Sequence, residues 1–239
     1  MPGLYLNAPA AGDRDALVRL LHDFDLPLAT FTQGPPALPA ELPLPAFLRQ
    51  ASVCVLMGQP LPAEALHTHL TRGDPLPANV LRRHLLLRLS LMPFLRTVRS
   101  IRQMPGALLL EDTLLLVPVG ADDTVDIPLP PGVWTELSGA CHQGRLRGMR
   151  GYNETPLLLR ENTLLPVSMN GQSLTQTTAD DSDRLTLHWF QPDTAASCQL
   201  ADGIFYRATR KGDRADVETN ARMPFHLILH RDGTETLAR

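Results

Sequence analysis

Between residues 109 and 168, short apolar runs alternate with turn-forming residues, a rhythm that commits this stretch to a series of short β-strands. Leu114 to Val119 is a continuous apolar run closed by Pro118, suited to a buried or sheet-edge strand, and Val125-Asp126-Ile127-Pro128-Leu129 alternates as a half-buried strand does. Pro130-Pro131-Gly132 then stops it. Proline sets φ near the value a turn requires and glycine accepts positive φ, so the Trp134 segment is expected to return antiparallel with its indole over the previous strand. A buried core indole is the first reading of Trp134, and a face for stacking on a sugar is the second. Pro156 to Pro166 reads as two strands about a tight turn at Arg160-Glu161-Asn162, where asparagine tolerates the left-handed region.

Upstream, helical spacing replaces alternation. A strand at Gly3 to Pro9, a helix capped by Asp13 or Asp15 with a Leu17-Leu20-Leu21 stripe, and a strand at Leu26 to Phe31 form a β-α-β order compatible with a piece of a (β/α)-barrel. The proline-rich residues 34–45 read as an extended loop. Helices are expected from about Ala46 to Met57 and from about Leu76 or Asn79 to Ser100. The second carries Leu81, Leu85, Leu89 and Met92 on one side, Pro93 as a bend, and Arg82, Arg83, Arg88, Arg96 and Arg99 on a solvated face.

The strand-and-turn series resembles the segment after the catalytic barrel in glycoside hydrolase family 31, the α-glucosidases and α-xylosidases. That family's pattern runs Gly-Asp-x-Leu-Leu-Val-Ala-Pro-Val, Leu-Pro-x-Gly-x-Trp, then Pro-Leu-x-Val-Arg-x-Gly-x-Ile-Leu-Pro, and Asn162 stands where it usually has glycine. Leu87-Arg88-Leu89-Ser90-Leu91-Met92-Pro93-Phe94-Leu95 resembles its Leu-Arg-Tyr-x-Leu-Leu-Pro-Tyr-Leu helix end. Ala46 to Gln50 with Gly58-Gln59-Pro60, and His67-Thr68-His69, fall where elements near the family's sugar site would lie, and Leu185 to Tyr206 resembles the opening of its distal β-domain. The resemblance implies a shortened relative: an α+β chain with a mostly helical barrel remnant over residues 1–103, an antiparallel β-sandwich over 104–170 and a distal β-region over 171–239. It also points to Arg49, His69 and Trp134 as carbohydrate-binding positions, with Trp189 and Tyr152 as further aromatic candidates.

Retaining glycosidases require two carboxylates about 5 Å apart, one as nucleophile and one as acid/base. In the family both lie upstream of everything matched here, and the Lys-x-Asp-x-x-Glu-type context of the nucleophile does not occur. A (β/α)-barrel takes about 250 residues, and only about 100 precede the β-region. Asp23 with Asp25, at a helix end, and Glu111 with Asp112 are the weak candidates for a rebuilt pair, although carboxylates two apart on a strand share a face without facing each other across a substrate. No Gly-x-Ser-x-Gly elbow or phosphate-cradling loop occurs, and His67-x-His69 lacks a third metal ligand at suitable spacing. Neither a cofactor nor a metal is expected.

Composition narrows the partners. The chain has 239 residues, hydrophobic content of 44% and a net charge of −3, with Lys211 as its only lysine, so a basic surface for nucleic acid is not expected. Cys54, Cys141 and Cys198 are too widely spaced for a disulfide framework or zinc site, Asp13-Arg14-Asp15 stands where a secretory signal carries basic residues, and no apolar run approaches membrane-spanning length. A cytoplasmic location is the expectation. Uncovered barrel helices imply a homo-oligomer or a protein partner through residues 1–103. The functional expectation is a non-catalytic, family 31-like pseudoenzyme acting as an interaction or carbohydrate-binding module. The alternative is an α-glycoside hydrolase, possibly one part of a split enzyme.

Overall fold

The computed structural model describes residues 43–57, 76–118, 124–151, 157–168, 185–222, 224–231 and 234–237. It divides into two compact units, one of residues 1–88, 118–123 and 150–155 and the other of 89–117, 124–149 and 156–239. The strand and helix expected before residue 34, the Leu26–Phe31 strand and most of the proline-rich loop lie outside the described residues.

In the first unit, α1 (Leu44–Met57) buries Phe47, Leu48, Ala51 and Leu56, an i, i+1, i+4, i+9 set on one face. Helix α2 (Leu76–Leu95), whose last seven residues belong to the second unit, buries Val80, His84, Leu87, Leu91 and Phe94 at the same kind of spacing. It ends five residues before the expected Ser100, because Pro93 removes an amide donor in the last turn and the chain turns at Arg96 and Thr97. Arg88 departs from the solvated stripe: it is partly buried and donates from Nη1 to the carbonyl of Leu56 at 2.7 Å, and desolvation lowers its pKa. Arg96 and Arg99 are exposed as expected.

The second unit is almost entirely β. A six-stranded antiparallel sheet runs in the order β1-β2-β3-β6-β4-β5, with β1 Ile101–Met104, β2 Ala107–Leu110, β3 Leu114–Leu116, β4 Thr124–Glu136, β5 Cys141–Met149 and β6 Leu157–Arg160. The apolar run survives as β3, buried at every residue because β2 and β6 flank it and both its faces are covered. The Thr124–Leu129 half of β4 alternates exposed and buried as its sequence does.

Pro130-Pro131-Gly132 does not form the expected turn. The strand passes through it, and β5 pairs with both halves, Pro128 opposite Arg145 and Val133 opposite Gln143. Four residues of β4 therefore face only Gly144, which makes the motif an enlarged, special β-bulge. Prolines donate nothing to a ladder, so little hydrogen bonding is lost there, and Gly132 takes the bend at φ 114°. A Cβ on Gly132 would lie 2.7 Å from the Glu161 carboxylate. Beyond the bulge the strand pairs with β6 as well, Trp134 opposite Arg160.

The two strands about the Arg160-Glu161-Asn162 turn belong to different sheets. β7 (Thr163–Val167) leaves the first sheet and joins a four-stranded one ordered β13-β12-β8-β7, with β8 Leu185–Phe190, β12 Phe225–Arg231 and β13 Thr234–Leu237. A three-stranded sheet, β11-β10-β9, is made of β9 Ala195–Gln199, β10 Phe205–Lys211 and β11 Arg214–Thr219. Leu164, Leu187, Trp189, Leu227 and Leu229 from the four-stranded sheet meet Tyr206, Ala208 and Ala215 from the three-stranded one in a single core, so these two sheets form a β-sandwich. Among the described strands one pair departs from antiparallel pairing: β12 runs parallel to β8, because β9 to β11 fill the connection between them and return the chain to the same end.

Asn162 joins the two halves of the β unit. Its backbone sits at φ 58°, and its amide donates to the Gln191 carbonyl at 3.2 Å. The side-chain Nδ2 donates to the Ala195 carbonyl at 2.9 Å, while Oδ1 accepts from the Trp189 indole at 2.9 Å and the Asp193 amide at 3.2 Å. Replacing Asn162 with glycine preserves the backbone and removes all three side-chain bonds, at about 1 kcal/mol each with a further penalty for the buried indole donor. Equilibrium urea unfolding of Asn162→Gly is therefore expected to show a loss of about 2–4 kcal/mol, and a stability equal to the parent's would show that the turn geometry alone matters.

Candidate functional site

Carboxylates are the first residues to place, since any hydrolytic site would need them. Glu111 and Asp112 open the three-residue turn between β2 and β3, both in the left-handed region at φ 50° and 54°. The Glu111 carboxylate accepts the backbone amides of Arg99 and Ser100, the latter at 2.7 Å, and these bonds hold its pKa below the usual carboxylate value. Asp112 pairs with Arg102 at 2.8 Å. One carboxylate is thus bound to backbone and the other to a guanidinium, so the pair does not face a common space. Asp126 bridges to Arg145 and lies 3.8 Å from Arg147, and the Arg145 bond lowers its pKa. Asp202 caps the amide of Ile204 at 3.2 Å, Asp213 pairs with Arg231 at 3.4 Å, and Asp216 pairs with Lys211. Asp23 and Asp25 lie outside the described residues.

The aromatic candidates are enclosed. Trp134 is 0% exposed and donates from Nε1 to the Pro130 carbonyl at 2.9 Å, across the bulge. Its carbohydrate-binding assignment is corrected accordingly, because a sugar stacks on an open ring face and neither face of this indole is open. Trp189 is likewise 0% exposed, in the sandwich core with its Nε1 on Asn162. Arg49 lies on α1, while His69, His67 and Tyr152 lie outside the described residues.

One polar cluster had no signal in the sequence. The β4–β5 hairpin brings Glu136 and His142 together, Nε2 to Oε1 at 2.6 Å, with both side chains largely buried, and the Ser138 hydroxyl contacts the other carboxylate oxygen at 3.4 Å. On the opposite strand face, Cys141 accepts from Gln191 Nε2 at 3.0 Å and lies 3.6 Å from the Thr135 hydroxyl. A carboxylate–imidazole pair can relay a proton, but covalent catalysis also needs a nucleophile on the imidazole. Here Ser138 touches the carboxylate and Cys141 points away, so the pair fastens the hairpin end. All three cysteines are free, and burial pushes the Cys198 thiol up to about 12, which removes it as a nucleophile. Among the described residues no group of three or more His, Cys, Asp or Glu side chains could hold a metal ion, and no helix is long and apolar enough to cross a membrane.

Since Trp134 and Trp189 are the two tryptophans of the chain and both are enclosed, the native protein is expected to emit at short wavelength and resist iodide quenching. Its emission should not change on addition of maltose or isomaltose. A sugar-dependent shift would place an indole at a binding surface after all.

No family model matches the sequence, and no curated protein sequence is detectably similar to it. Solved structures are similar in fold. The cycloalternan-forming enzyme of Listeria monocytogenes superposes with a TM-score of 0.66 at 17% identity, over 83% of this chain and 23% of the enzyme. The family 31 dextranase of Flavobacterium johnsoniae gives 0.59 at 15%, over 78% and 30%, and the family 31 α-xylosidase of Xanthomonas citri gives 0.55 at 14%, over 78% and 27%. At such identities the likeness is one of fold, and the chain spans about a quarter of the length of these enzymes. The resemblance carried by the strand-and-turn series is thus borne out in three dimensions: the chain folds like part of a glycoside hydrolase of family 31.

Proposed function

We propose that the chain is a non-catalytic, carbohydrate-related module of family 31 descent that works by binding, with residues 1–103 as a barrel remnant that docks a protein partner or a second copy. The observation that carries this reading is the engagement of the carboxylates. Glu111, Asp112, Asp126, Glu136, Asp202, Asp213 and Asp216 are each bound to backbone, a basic side chain or an imidazole at turns and on the surface. Glycoside hydrolysis requires instead two carboxylates facing each other across the bond to be cut. The fold supports descent from a carbohydrate-active enzyme. An interface of about 1,600 Å² is the usual size for stable association of this kind. The three free thiols suit a cytoplasmic setting.

Similarity to entire enzymes, among them a dextranase complexed with glucose, favours one other reading: the chain completes a glycoside hydrolase site supplied largely by another polypeptide. Activity and assembly separate the two. The isolated chain is expected to release no nitrophenol from aryl α-glucosides or α-xylosides above background, because nucleophile and proton transfer are missing together. Turnover abolished by Asp23→Asn or Asp25→Asn would replace the binding reading with a catalytic one. Sedimentation at micromolar concentration is expected to show a dimer or larger species, which deletion of residues 1–75 converts to monomer, whereas a clean monomer in the parent would remove residues 1–103 as a docking surface.

A further inference from the structure

Three aromatic rings lie stacked on one face of the four-stranded sheet, where strand alternation places them opposite the sandwich core. His188 of β8 and His230 of β12 have ring centroids 5.0 Å apart, and His230 stacks on Phe190 at 4.3 Å with the planes 5° apart. His188 Nδ1 and His230 Nε2 are 2.7 Å apart, a hydrogen bond that holds one proton between them. The His188 ring is buried, and its other nitrogen, Nε2, has no hydrogen-bond partner. This arrangement constrains protonation. Two neutral imidazoles hold two protons, one in the bridge. A third proton puts a charge between buried rings, and a fourth places N–H against N–H across the bridge and breaks it.

We propose that the His188–His230 bridge is an acid-sensitive lock on the β7–β8–β12–β13 sheet, holding the parallel β8–β12 pair together while both imidazoles are neutral and releasing it when the pair is forced to take up protons. The parallel pair is the vulnerable join, since β8 and β12 are brought together only through the β9–β11 excursion and their rings meet across a separation of 42 residues. Burial, followed by the charge of His230, pushes His188 down to about 3, and burial pushes His230 down to about 4, both from an ordinary 6.5. The sign follows from these directions. The unfolded chain binds protons at these histidines below about 6.5 and the folded chain does not, so their contribution to stability is complete above that value and is lost as the pH falls towards 4.

On the same face lie Thr186 of β8, His226 and Ile228 of β12, and Thr163, Leu165 and Val167 of β7, of which only His226 carries a titratable side chain; Glu235 of β13 stands opposite His230 in register. Carboxylates whose pKa values are lowered, Glu111 and Asp126, lose their contribution below ordinary values of 4.5 and 3.8, a more acid window than that of the histidines.

The test is urea unfolding of the full chain followed by tryptophan emission from pH 7.5 to 4.5, with His188→Leu/His230→Phe and Glu235→Gln as variants. The parent's unfolding constant is expected to rise by up to about a hundredfold per pH unit below pH 6, the slope of two protons, and the double variant should lose that slope. Glu235→Gln should leave it in place. A double variant with the parent's slope, or an acid limb that disappears in Glu235→Gln, would overturn the lock. If the double variant does not fold, histidine-labelled NMR of the parent decides: two of the eight imidazoles should stay neutral at pH 5 while Leu185–Phe190 and Phe225–Arg231 amides exchange faster together. Ordinary titration of all eight would overturn it equally.

Discussion

The β unit depends on a change of sheet made within two residues. The chain leaves the six-stranded sheet at Arg160 and enters the four-stranded one at Thr163, and only a left-handed residue between them turns the backbone sharply enough. Glycine would meet that conformational need. Asparagine meets it and then spends its side chain on the next structure: the carboxamide binds Ala195, Asp193 and the Trp189 indole, which fixes the start of β9 and the largest side chain of the sandwich core from one point. The position of the sandwich relative to its neighbouring sheet within the unit is therefore set by hydrogen bonds to a turn.

A second departure follows the same logic. The family pattern has glycine before the aspartate at the start of its Leu-Leu-Val strand, and here that place is taken by Glu111, at φ 50°. An L-residue in that region costs roughly 1–2 kcal/mol. The Glu111 carboxylate offsets the strain by accepting the amides of Arg99 and Ser100, tying the hairpin to the segment that follows α2. At both positions conformational freedom has been exchanged for a specific contact, from Glu111 to the segment after α2 and from Asn162 to Ala195, Asp193 and Trp189.

Local features were legible in the sequence and non-local ones were not. Alternation from Val125 to Leu129, the buried run at Leu114 and the left-handed Asn162 each depend on residues within a few positions of one another, and each was visible, whereas Leu89 and Met92 of the expected α2 stripe are only half-buried and the buried face runs through Val80, Leu87, Leu91 and Phe94. Pro130-Pro131-Gly132 misled because its φ preferences suit a turn and a bulge equally; what selects the bulge is the pairing of both flanking halves with β5, fixed by residues 141–149. The parallel β8–β12 pair, the Glu136–His142 contact across a hairpin and the His188–His230 bridge required knowing which strands are neighbours. Trp134 was legible as a core residue, whereas the acceptor that makes it one, the Pro130 carbonyl, exists only once the bulge has formed.

Stability and chemistry draw on different residues in this fold. The sandwich core of Leu164, Leu187, Trp189, Tyr206, Leu227 and Leu229, the Asn162 latch and the bulge under Trp134 are complete among themselves and use no catalytic group. The folding free energy of the β unit thus rests on packing and on turn hydrogen bonds, and what the turns at Glu111 and Asn162 lose in backbone strain they regain in contacts made by their side chains.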